Sequence, residues 1–223
     1  MPENQPADIE WNNAVPVSTR FDDPYFSLDN GLTETRHVFL AGNDLPGRFA
    51  EGFHIAELGF GTGLNMLCAL QAWIESGQTT PLRFTSFEAF PMSVEDLSRA
   101  LAAFPDLHDL ARPLLAAWNK GAARIETPHL HARIILGDAR ETLAGWQGKA
   151  DAWFLDGFAP AQNPELWQSD LMTEVARHTR SGGSFATYTA AGHVRRALDA
   201  AGFSVERRAG FGRKRHMSVG VLR

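Results

Sequence analysis

The sequence predicts an α/β fold: a Rossmann-like, doubly wound sheet of parallel strands that closes on a C-terminal antiparallel β-hairpin. Three observations carry this. Short, largely apolar runs at residues 53–58, 81–88, 132–136, 151–155 and 184–189 have the length and composition of strands covered on both faces. Segments whose apolar residues recur at helical spacing separate most of them, as parallel crossovers require. The last two strands, 203–208 and 217–222, are joined by Gly210-Phe211-Gly212-Arg213-Lys214-Arg215. That link is too short for a crossover, so the final pair must run antiparallel.

At 223 residues the chain suits one well-buried domain. One cysteine, Cys68, excludes an internal disulfide, and its helical, apolar surroundings make it a small core residue. No N-terminal run resembles a signal peptide and no apolar stretch is long enough to span a bilayer, so no membrane partner is expected and the cytoplasm is the default location. The net charge of −5 excludes a generic nucleic-acid binder. From Arg195 onward, however, eight basic residues face only Asp199 and Glu206. That excess suits an RNA backbone, or else a solvated face balanced by acids from elsewhere.

Residues 1–20 are polar, contain prolines and show no periodicity, which predicts a loosely held arm. Residues 21–52 form an N-terminal extension to a core at 53–223. Its start, Phe21-Asp22-Asp23-Pro24-Tyr25-Phe26, sets aromatics among turn signals, as a hydrophobic staple or as a lid over a pocket. Residues 33–40 predict a short strand or hairpin, and residues 45–51 a turn or short helix.

The centre of the chain is Glu57-Leu58-Gly59-Phe60-Gly61-Thr62-Gly63-Leu64-Asn65. A buried strand ends in an acid, turns on three glycines and opens a helix over residues 64–76, whose free N–H groups point at a ligand. A dinucleotide turn prefers Gly-x-Gly-x-x-Gly, but here the sixth position is Leu64, and no P-loop Lys-Ser/Thr follows. The next strand ends in Glu88, 25 residues beyond Gly63, where a carboxylate accepts both ribose hydroxyls of a nucleoside cofactor. Helices at 94–104 and 107–118 follow, then strands at 123–127 and 132–136. His129 and His131 lack further ligands nearby and read as surface residues, with no metal expected. The third core strand ends in Gly137-Asp138-Ala139, where Asp138 suits an adenine amino group, a helix N-cap for 139–146, or both. The fourth ends in Asp156-Gly157-Phe158-Ala159-Pro160, ahead of a helix from Pro164 to about residue 179 that Ser181-Gly182-Gly183 stops. A helix at 194–201 precedes the hairpin.

An acid just before Gly-x-Gly-x-Gly, with one residue between, resembles the first motif of class I S-adenosylmethionine-dependent methyltransferases, and five αβ units closed by a β-hairpin is their layout. Over residues 16–223 the chain is similar to the methyltransferase domain of the tRNA 5-methylaminomethyl-2-thiouridine biosynthesis bifunctional protein family and its stand-alone relatives. The matching stretches are Phe21-Asp-Asp-Pro-Tyr-Phe-Ser, Asn30-Gly-Leu, Glu34-Thr-Arg, Glu57 to Asn65, Ser86-Phe-Glu88, Gly137-Asp138-Ala139, Phe154-Leu-Asp-Gly-Phe-Ala-Pro-Ala-Gln-Asn-Pro164 with Trp167, and Gly210-Phe-Gly with Lys214-Arg215. The Leu-Asp-Gly-Phe-Ala-Pro run is the specific one.

The resemblance implies methylation of the aminomethyl nitrogen on the wobble uridine of tRNA, with S-adenosylmethionine held by Glu57, Gly59, Gly61, Gly63, Asn65, Glu88, Asp138, Ala139 and Asp156. Glu57 is expected to face the cofactor's cationic amino acid end. Asp156 is the expected catalytic residue, aiming the amine and relaying its proton, with a loop anchor as the plain alternative. Phe26, Phe158 and Pro160 are expected to wall the uracil of an anticodon-loop base, and Arg213, Lys214 and Arg215 to meet phosphates. In bifunctional members a FAD-dependent oxidase domain follows. This chain ends at Arg223, so no FAD is expected in it, and that domain or a separate upstream enzyme is an expected partner; a stand-alone enzyme and a fragment are both compatible with this. The competing readings are a class I methyltransferase for another small amine or nucleobase, and a non-catalytic tRNA-binding module.

Overall fold

A computed structural model describes residues 5–27 and 30–223. Three short strands, β1 (Ile9–Asn12), β2 (Val15–Ser18) and β3 (Asp23–Pro24), form a small antiparallel sheet. Over residues 9–18 the chain is therefore paired as strands where a loosely held arm is expected; residues 1–4 of that arm lie outside the described residues. Asn13 turns β1 into β2 with a left-handed φ of 55°. Trp11 donates Nε1–H to Asp96 at 3.3 Å and lies under Arg99, so the hairpin is tied to the core by contacts far away in sequence.

Residues 33–40 are helical, not a strand or hairpin. Asn30 caps the turn, its Oδ1 accepting from Thr33 N at 2.9 Å. Helix α1 (Gly31–Thr35) runs into a wider π turn over Arg36–Leu40 and a 3-10 turn over Ala41–Asn43. Leu32, Thr35, Val38 and Phe39 are buried, a helical spacing that the β-branched residues of this stretch obscure.

The core alternates β4 (His54–Leu58), α2 (Leu64–Glu75), β5 (Leu82–Glu88), α3 (Val94–Leu101), α4 (His108–Trp118), β6 (Arg124–Glu126), β7 (Leu130–Leu136), α5 (Ala139–Thr142), β8 (Ala150–Leu155), α6 (Ser169–Arg177), β9 (Thr179–Thr187), α7 (Gly192–Ala200), β10 (Phe203–Ala209) and β11 (His216–Leu222). The sheet order is β10-β11-β9-β8-β4-β5-β7-β6. The pairs β4–β5, β4–β8, β5–β7 and β8–β9 are parallel; the closing hairpin is antiparallel, as predicted.

Three elements differ from expectation. Helix α5 stops at Thr142, four residues short, and Trp146 turns into the core. The helix expected from Pro164 is a 3-10 turn over Pro164–Trp167, then a break at extended Gln168, then α6. At the break, buried Trp167 donates Nε1–H to Phe158 O at 2.9 Å. The glycines at 182 and 183 lie inside β9, where the register with β8 shifts, and the helix ends earlier, at Arg177.

Strand alternation decides what meets what. Ile55, Phe84, Phe154 and Ala186 pack on the face covered by α1–α4; Ala56, Phe87, Trp153, Leu155 and Phe185 pack on the face of α5–α7. Continuing the first parity past the strand ends brings Glu57, Ser86, Glu88, Asp156 and Tyr188 to the α2 side. This is also where β4 and β8 part in opposite directions, the crevice where open α/β sheets bind ligands.

Candidate active site

A cavity of about 740 Å³ opens at the carboxyl ends of β4, β5, β7 and β8. Its floor is the glycine turn. Gly59 takes φ 87°, and a Cβ there would stand 2.3 Å from the Asp156 carbonyl oxygen, so no other residue lets the two strand ends lie so close. Gly61 faces the cavity opposite Tyr25, while Gly63 starts α2 from a left-handed φ of 74° and does not line the cavity.

Asn65, in the first turn of α2, links the acids. Its Nδ2 donates to Glu57 Oε1 at 2.9 Å and to Asp156 Oδ2 at 2.7 Å, and its Oδ1 accepts from Thr35 Oγ1 at 2.9 Å. Ser86 Oγ donates to Glu57 Oε2 at 2.6 Å. Glu57 is 0% exposed and is not part of the cavity wall. Burial pushes its carboxyl well above the usual range, against the pull of Ser86 and Asn65. Glu57 therefore acts on the cavity through Asn65, where the sequence places it face to face with a ligand.

Glu88 does line the cavity. Its Oε2 accepts from Gly61 N at 2.9 Å and its Oε1 from Phe90 N at 2.7 Å, and burial raises its pKa in spite of these bonds. Asp138 caps α5, accepting from Arg140 N at 2.9 Å, and the Arg140 guanidinium on its carboxylate holds its pKa down. Asp138 and Ala139 both line the cavity. Asp156 is partly buried, and desolvation pushes its pKa up to about 7; the Asn65 hydrogen bond and the charge of Lys214 oppose this, while Glu34 and Asp23 add to it.

The roof comes from the N-terminal extension. Asp23 Oδ2 accepts from Ala159 N at 2.8 Å, Phe21 stacks on Phe158 at 4.8 Å, Tyr25 meets Phe158 edge-on at 5.0 Å, and Phe26 meets Phe104 at 5.0 Å. Phe26 and Phe158 line the cavity; Pro160 does not. Arg213 and Lys214 line it as well, and Arg215 is outside it and exposed. Lys214 turns inward, 2.9 Å from Glu34 Oε1 and over the Tyr188 ring. Glu34, Asp23 and Tyr188 are site residues that the strand-end motifs do not reveal. Tyr188 had a signal in the parity of β9, two residues beyond buried Ala186.

Elsewhere, Cys68 is buried and its thiol is pushed up to about 11, which fits a core residue. His131 pairs with exposed Glu126. Among the described residues no group of three metal-ligating side chains is present, and no helix is long and apolar enough to cross a membrane.

The sheet order, the cavity at the strand carboxyl ends and the closing hairpin are those of a class I methyltransferase. A family model described as S-adenosyl-L-methionine-dependent methyltransferase matches residues 105–223, more than half of the chain, and the chain belongs to that family. MNMC2 from Aquifex aeolicus is similar over 100% of this chain and 72% of its own, at 26% identity and a TM-score of 0.79. Spermidine synthase from Thermotoga maritima is similar over 96% of this chain and 71% of its own, at 9% identity and a TM-score of 0.56, a likeness of fold alone.

Proposed function

We propose that this protein transfers a methyl group from S-adenosylmethionine to the 5-aminomethyl nitrogen of wobble 5-aminomethyl-2-thiouridine in tRNA, giving 5-methylaminomethyl-2-thiouridine. The observation that carries this reading is Asp156: a carboxyl from the Leu-Asp-Gly-Phe-Ala-Pro run, held by Asn65 inside an aromatic-walled cavity, with its pKa pushed up to about 7. The likeness to MNMC2 along the whole chain supports it.

The residues fit the cofactor. Gly59 and Gly61 line the cavity at the turn, and Glu88 and Asp138 stand at the ends of neighbouring strands, with Ala139 opening α5 after the second. Glu88 would hold the ribose and Asp138 with Ala139 the adenine, while Gly59, Gly61 and Asn65 flank the amino acid end. When bound, the cofactor would supply an electrophilic methyl group on a sulfonium, with the neutral thioether as the leaving group.

The chain's own residues prepare the nucleophile. An alkylammonium is mostly protonated near neutral pH, as lysine is, and must lose a proton before its lone pair can attack. A carboxyl of ordinary pKa is a poor acceptor for that proton; one near 7 is better matched. Asp156 orients the amine through Oδ1, since Oδ2 is engaged by Asn65, and takes or relays its proton. The ring cluster of Phe21, Tyr25, Phe26 and Phe158 gives an unstacked base an apolar wall and helps exclude water. Arg207, Arg213 and Arg215 are exposed and have no ion pair among the described residues, which suits phosphate contacts.

The test is methyl transfer from labelled S-adenosylmethionine to tRNA bearing the unmethylated 5-aminomethyl group, followed by nucleoside analysis. Label on the wobble nucleoside is expected. Tight cofactor binding with no label in tRNA would move the substrate to another amine or base.

A further inference from the structure

Lys214 lies in the link between β10 and β11, yet its ammonium is seated in the cavity. Nζ is 2.9 Å from Glu34 Oε1 and 4.0 Å from the centroid of the Tyr188 ring. A carboxylate on one side and an aromatic face on the other is the chemistry that recognises alkylammonium ions. The Tyr188 ring is fixed from behind, and the backbone that carries Glu34 is held at the next residue. Tyr188 donates its hydroxyl to Gly157 O at 2.8 Å, which holds the ring beside the backbone of Asp156. Glu34 precedes Thr35, whose hydroxyl is bonded to Asn65. The Glu34 side chain is only 15% exposed, whereas that of Lys214 is 46% exposed and reaches in from a link with solvent at hand.

The charges around this nest leave room for a second cation. Asp156 is raised first by its burial; Glu34 and Asp23 add to this and Lys214 opposes it, so three carboxyl groups act with one ammonium between them. The nest adjoins the very carboxyl to which the reaction assigns the amine.

We propose that Glu34 and the face of Tyr188 form the recognition site for the substrate's alkylammonium group, and that Lys214 occupies this site with its own ammonium and yields it when the substrate enters. The inference rests on the proposed function for the identity of the amine, not for the existence of the site. The nest receives the ammonium form and the amine then passes to Asp156, which takes or relays its proton, so Glu34 is a specificity residue for a bare alkylamine. Lys214 is then a competitor of the substrate, and not a phosphate ligand. These two roles have opposite signs. Removing a competitor lowers KM; removing a phosphate contact raises it and flattens the salt dependence.

The experiment uses the full chain as wild type, Lys214→Met, and Lys214→Met with Glu34→Gln. Propylammonium chloride is the probe, followed by calorimetric titration and by the rise in melting temperature relative to sodium chloride at equal ionic strength. Lys214→Met is expected to bind propylammonium about fivefold or more tighter than wild type, because the occupied fraction no longer taxes binding, and the double variant to lose that gain. With tRNA, Lys214→Met is expected to lower KM by a similar factor and leave the salt slope unchanged. No propylammonium binding by Lys214→Met overturns the proposal, as does a raised KM with a salt slope reduced by about one. The titration contains no tRNA. A failure of the tRNA assignment therefore leaves the nest to stand or fall on propylammonium alone, and a methylated tRNA without propylammonium binding sinks the nest but keeps the function.

Discussion

Asn65→Leu separates what the Asn65 amide does for the fold from what it does for the chemistry. The substitution keeps the branched side-chain shape in α2 and removes three hydrogen bonds, to Glu57, Asp156 and Thr35. Buried groups left without partners cost about 1–3 kcal/mol each. Glu57, already pushed toward its neutral form, escapes part of that cost by binding a proton, so a net loss of about 2–4 kcal/mol is expected. The chemical effect is different in kind. The amide favours the charged form of Asp156, and a hydrogen bond to a charged group is worth about 1.5 kcal/mol or more, close to the 1.36 kcal/mol that equals one pH unit. With Asp156 near 7 in the native protein, its loss moves the acidic limb of the kcat/KM profile up by about one pH unit. Activity should fall about fivefold at pH 7 and recover most of the way at pH 9. The assay is initial-rate methyl transfer across pH 5.5–9.5, roughly the span over which such a group titrates, run below the variant's melting temperature. An equal loss at pH 7 and pH 9, or an unmoved limb, would refute the role assigned to the amide.

Other outcomes follow from the same geometry. Asp156→Asn should retain cofactor binding by calorimetry and lose kcat by about 10²–10⁴-fold, the usual worth of a general base; turnover within a factor of a few of wild type would sink the catalytic assignment. Gly59→Ala sets a Cβ 2.3 Å from Asp156 O at a φ of 87°, and a loss of about 1–3 kcal/mol in denaturant unfolding is expected from backbone strain alone. The raised carboxyls of Asp156, Glu57 and Glu88 share one linkage sign. Each native pKa exceeds the unfolded value, so the native state binds more protons, and stability contributed below the unfolded value is lost as pH rises through the native one. For Asp156 that window runs from its ordinary value of 3.8 to about 7. Urea unfolding at pH 5 and pH 8 should show a smaller drop for Asp156→Asn than for wild type, and an identical drop would contradict the assigned environment.

The class of fold and half of the site were legible because both rest on local pattern. Apolar runs of strand length, helical spacing between them and a link too short to cross over determine a doubly wound sheet with an antiparallel end. Gly59, Glu88, Asp138 and Asp156 stand out because a strand's carboxyl end is a position that sequence marks. Tertiary structure decided the rest. The β1–β2 hairpin takes its order from Asp96 and Arg99, more than eighty residues away, so its own polar text reads as an arm. The helix over Gly31–Thr35 owes its state to a cap and to burial that its β-branched residues conceal. Above all, the meeting of Glu57, Asn65 and Asp156, and of Glu34, Tyr188 and Lys214, depends on which strands neighbour and which parity faces α2. Periodicity fixes the spacing of side chains along one element; only packing one element on another buries Asp156 and fixes its distance to Asn65, Lys214, Glu34 and Asp23, and it is that burial first of all that sets its carboxyl near pH 7.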